Sequence, residues 1–98
     1  MDCKSLEEVR SNIDRIDNQI IKLIAERGSF VKQAPLFKKD SQDVKAPQRV
    51  EAVIQKVRLL AKEYGANPDM IEKLYRGMIA GFISMEMDAF EAIKDGES

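Results

Sequence analysis

From Leu6 onward, apolar residues recur at spacings of three and four: Leu6, Val9, Ile13, Ile16, Ile20 and Leu23, then Phe30, Ala34 and Phe37. That period marks one face of an α-helix and forms a heptad seam, where a strand would alternate. Ser5 stands just before it and Glu8 three residues later, a Ser-x-x-Glu capping box. Continued to Lys38, the helix would hold about 33 residues and run roughly 50 Å. A compact chain of this size has a radius of gyration of only about 13 Å. A seam that outreaches its own globule needs another chain, so the pattern predicts an obligate homodimer. Pro35 disturbs the helix, because proline lacks an amide hydrogen and crowds the preceding turn, at about 3 kcal/mol in a helix interior. A kink or stop is expected near Gln33–Ala34, with Leu36–Lys39 as a separate turn.

The stretch from Asp40 to Ala46 is polar, has no period and is expected to be a loop. Pro47 suits the first turn of a second helix, with Val50, Val53, Ile54, Val57 and Leu60 inward and Gly65 capping its end near Tyr64. Asn67 and Pro68 then open a third helix as N-cap and first residue. It carries Ile71, Leu74, Tyr75, Met78, Ile79, Phe82, Ile83 and Phe90, and frays by Gly96. The fold class is all-α, three helices per chain in a single domain over 1–98, with no internal repeat.

Composition narrows the chemistry. With no histidine, Ser-His and Cys-His nucleophilic sites and most transition-metal sites are excluded. Cys3 is the one cysteine, so no intramolecular disulfide can form. A net charge of −1, with no basic block longer than Lys38-Lys39, argues against nucleic acid as a partner. No signal peptide is visible and no apolar run approaches the roughly 20 residues of a membrane span, so no membrane partner and a cytoplasmic location are expected.

Two polar residues occupy positions where the pattern calls for apolar ones. Arg27 lies four after Leu23 and three before Phe30; Glu86 lies four after Phe82 and three after Ile83, in a stretch nearly free of charge. A charge at a core position is expensive unless paired or facing a ligand. The two could be a structural salt bridge, or they could face a substrate. Other features read as structure: Gly77 and Gly81 as a close-packing pair, the five methionines as gap filler, Tyr64 and Tyr75 as core or rim. Asp14 and Asp17 lie on an exposed flank without a third ligand, so no metal site is expected.

The run Arg10, Ile13-Asp14, Ile16-Asp17, then Ala25-Glu26-Arg27, Phe37-Lys38 and Pro47-Gln48-Arg49-Val50 resembles the all-helical chorismate mutases, and among them the isochorismate pyruvate lyase branch. The resemblance covers roughly residues 5 to 90. It implies an intertwined helical homodimer whose active sites borrow a residue across the interface, a small dicarboxylate substrate and no cofactor. It also implies the roles: Arg10 from the partner subunit and Arg27 clamp carboxylates, and Lys38 reaches a carboxylate and the ether oxygen. Arg49 and Val50 line the substrate site at the start of the second helix, and Glu86 faces the ether oxygen. Conversion of chorismate to prephenate is pericyclic and needs no nucleophile, which accords with the missing histidine.

Departures point toward the lyase branch. Mutases commonly carry an acid where this chain has Val50 and another where it has Ala46. Against that, the lyases use glutamine where Glu86 stands, and separately Pro35, three residues before Lys38, departs from the family pattern as a whole and bears on where that lysine is placed. The leading reading is chorismate mutase activity, with isochorismate pyruvate lyase activity as the alternative. A non-catalytic helical dimerisation module is the rival from another class.

Overall fold

The computed structural model describes residues 2–37, 39–40 and 45–96, with side chains described as far as Ala92. The expected all-helical class holds: α1 (Leu6–Val31), one 3₁₀ turn (Ala34–Phe37), α2 (Pro47–Tyr64) and α3 (Pro68–Gly96), with no strand among the described residues. These elements form two compact units, Met1–Phe30 and Val31–Ser98. Among the described residues no helix is long and apolar enough to cross a membrane.

The first unit is essentially α1. The Ser5 hydroxyl accepts the Glu8 amide at 3.1 Å, while the Glu8 carboxylate reaches back to the Lys4 amide at 3.0 Å, one residue beyond the usual capping-box partner. The heptad residues Leu6, Val9, Ile13, Ile16, Ile20, Leu23 and Phe30 are all exposed, from 39% at Val9 to 65% at Phe30. Such a helix is marginal in water unless its apolar stripe is covered. Cys3 is half-buried, with the Asn12 side-chain amide 3.6 Å from its sulfur.

α1 ends at Val31, short of the Lys38 reach that the heptad alone suggests. Pro35 explains the stop: the residue at that position would donate to the Val31 carbonyl, and proline has no hydrogen to give. The chain tightens instead into the 3₁₀ turn, in which Pro35 is buried and the Leu36 amide donates to the Gln33 carbonyl at 3.2 Å.

In the second unit the cap positions match the expected ones. Gly65, at φ +78°, ends α2 in a Schellman arrangement: Ala66 N–H donates to the Ala61 carbonyl at 2.7 Å and Gly65 N–H to Lys62 at 3.4 Å. Asn67 Oδ1 accepts the Asp69 and Met70 amides at 2.9 and 3.1 Å, capping α3. α2 and α3 pack antiparallel, and the 3₁₀ turn packs against α3.

The buried apolar core among the described residues is Ile54, Val57, Ala61 and Ile79. Burying one isoleucine contributes about 1.5–3 kcal/mol, against an ordering cost of about 1–2 kcal/mol per residue.

Several expectations are corrected. Leu60 is 38% exposed, and Ala61 takes the inward position. Met70, Met85 and Tyr64 are likewise exposed, so two of the methionines fill no gap in this chain. Within the second unit, no described atom outside their own helical turn lies within 4 Å of a Cβ built on Gly77 or Gly81, so this pair brings no close packing there.

Candidate functional site

Glu86 is the one buried charged residue among those described: it is 8% exposed and its Oε1 is closed to solvent. It sits on α3 between the half-buried Phe82, Ile83 and Phe90. The same helix takes the packing of the 3₁₀ turn that precedes Lys38. Lys38 itself lies outside the described residues.

Arg49 is the third residue of α2 and is exposed; Val50 is half-buried and its amide donates to the Ala46 carbonyl at 3.0 Å. Five groups bridge α2 and α3. Arg76 donates from Nη1 and Nη2 to the two oxygens of Glu51 at 2.8 and 2.9 Å, and from Nε to Glu72 at 2.8 Å. Arg58 Nη1 reaches Glu72 and Asp69, each at 2.9 Å. These pairs fix the register, setting Glu51 opposite Arg76 and Arg58 opposite Asp69. The start of α2 therefore runs beside the middle of α3, with Glu86 roughly two turns further along.

The network also sets charge. Hydrogen bonds from Arg76 hold the Glu51 and Glu72 carboxyls below the usual carboxylate range, with Arg58 adding to the effect at Glu72. In return Asp69, then Glu72, raises Arg58, and Glu51 followed by Glu72 raises Arg76. The sequence reading missed this cluster. The Glu72–Arg76 spacing of four was a visible signal, whereas the Glu51 and Arg58 links depend on how two helices meet.

In the first unit Arg10 is exposed and Arg27 half-buried, the latter next to a buried Gly28 that the heptad did not single out. Asp14 and Asp17 are exposed, as the flank position suggested. Arg10 and Arg27 stand 17 residues apart on one continuous helix, which is about 25 Å along its axis. One small dicarboxylate cannot touch both from the same copy of α1.

Residues 9–87 match the family described as chorismate mutase type II. The chain is 33% identical over 86 residues to the isochorismate pyruvate lyase of Pseudomonas aeruginosa, covering 88% of this chain and 85% of that protein. It is 34% identical over 77 residues to the chorismate mutase of Methanocaldococcus jannaschii, covering 78% of each. It is 32% identical over 87 residues to a bifunctional chorismate mutase/prephenate dehydratase of Aquifex aeolicus, covering 85% of this chain and 24% of that protein.

Proposed function

The chain belongs to the type II chorismate mutase family, and on that footing we propose that it rearranges chorismate to prephenate in a homodimer with shared active sites. The observation that carries this reading is the match over residues 9–87, a span that includes Arg10, Arg27, Lys38, Arg49 and Glu86. The reaction makes and breaks bonds within one molecule. The protein has only to hold the substrate in a reactive conformer and stabilise charge growing on the ether oxygen.

In this proposal Arg27 and the partner subunit's Arg10 clamp the carboxylates, and Arg49 with Val50 borders the substrate at the start of α2. Lys38 and the protonated Glu86 face the ether oxygen. Losing one such donor costs about 10²–10³ in turnover. The exposed stripe of α1 and the length of helix separating Arg10 from Arg27 support the dimer. The whole chain serves as one domain of that dimer.

A second reading, elimination of pyruvate from isochorismate to give salicylate, is favoured by Val50 and Ala46 and by the Pseudomonas aeruginosa relative. Incubating the purified protein with each substrate separates the two. Prephenate from chorismate is the expected product. Salicylate and pyruvate from isochorismate without prephenate would transfer the assignment to the second reading, and no product from either would overturn both.

A further inference from the structure

Ala46 breaks three backbone rules at once. It lies at φ +38° and ψ +59°, the left-handed region, and no other non-glycine among the described residues has a positive φ. A Cβ disfavours that region. The residue before a proline is normally extended, and Pro47 follows. A helix N-cap is also normally extended and carries a side chain that accepts an amide; Ala46 caps α2 with no side-chain bond. Strain of this kind persists only where the surroundings hold it, and it clusters at functional sites.

Ala46 is joined to the first turn of α2. The Val50 amide donates to the Ala46 carbonyl at 3.0 Å, so the strained residue is tied to the turn that carries Arg49 and Val50. Beyond that turn α2 is pinned to α3 through Glu51–Arg76 and the buried Ile54. On the helical side, relaxation at Ala46 therefore falls on Pro47, Gln48 and Arg49. We propose that Ala46 is a positioning residue, whose left-handed backbone holds the first turn of α2 closed and Arg49 in place for the substrate. This rests on the reading of Arg49 as a substrate-binding residue.

The test is kcat and KM on chorismate for Ala46→Gly, Ala46→Val, Arg49→Gln and the Ala46→Val/Arg49→Gln double variant, with helix content checked by circular dichroism. Glycine adopts the left-handed region freely, so Ala46→Gly should stay within about twofold of the parent. Valine is stiff and branched and resists it. Ala46→Val should lower kcat/KM about tenfold, chiefly through KM, and should add nothing in the Arg49→Gln background.

Normal kinetics for Ala46→Val beside an impaired Arg49→Gln would overturn the positioning role and leave Arg49 standing. Losses that multiply in the double variant would also overturn it, since Ala46 would then act on structure at large. Normal kinetics for Arg49→Gln would remove Arg49 from the site, and the positioning role with it. Should Ala46→Val not fold, hydrogen exchange at the Val50 amide of the unaltered protein decides. Protection supports the closed turn, and exchange at the open-chain rate refutes it.

Discussion

In the proposed site Glu86 would tie burial to chemistry. A carboxyl beside a developing ether anion helps only as an acid, because its ionised form repels the charge that grows there. Turnover of chorismate should fall by up to about tenfold per pH unit above the titration of that carboxyl. Glu86→Gln keeps the shape and donates at every pH, so its profile should be flatter than the parent's. Superimposable pH–rate profiles would return Glu86 to a structural role. Arg27 and Glu86 were legible in the sequence because each breaks an apolar period, a signal that needs no partner element to be seen. Ala46 was not legible. Alanine carries no turn signal and its Cβ disfavours a left-handed φ, so its name gives no trace of one.

At the scale of elements, the helix ends were legible because caps are local. Ser5, Pro47, Gly65 and Asn67 each act within about five residues of themselves. Which stripe of a helix faces inward is not local. Leu60 and Ala61 differ by about 100° around α2, and only the packing against α3 turns Ala61 inward. The Arg76 network belongs to this scale too, because it joins α2 to α3. Arg76 depresses the Glu51 and Glu72 carboxyls below their unfolded values. The stabilisation they give is therefore present above the unfolded value of about 4.3 and is lost as pH falls through the folded one. Arg76→Gln should lower the thermal midpoint at pH 7, and the gap from the parent should close on acidification below about pH 4. Added salt should narrow the gap at pH 7, since Arg76 and Glu51 are exposed and Glu72 only half-buried. A gap independent of pH would mean that Arg76 contributes packing and no charge.

At the scale of the whole molecule, one chain does not complete the proposed site. The first helix leaves its apolar stripe uncovered, and Arg10 and Arg27 stand too far apart along it to hold one substrate. The long heptad points from spacing alone to a second chain, while the proposed sharing of cations comes only from the family resemblance. Complementation tests this most directly. Arg10→Ala and Arg27→Ala chains are each assayed on chorismate, then dissociated together, reassembled in equal amounts and assayed again. Each variant alone should lose about 10² or more in turnover. The mixture should recover about a quarter of the unaltered activity, because half the dimers are mixed and one site in each mixed dimer holds both arginines. A mixture no more active than its parts, or either variant turning over like the unaltered chain, would contradict the shared site.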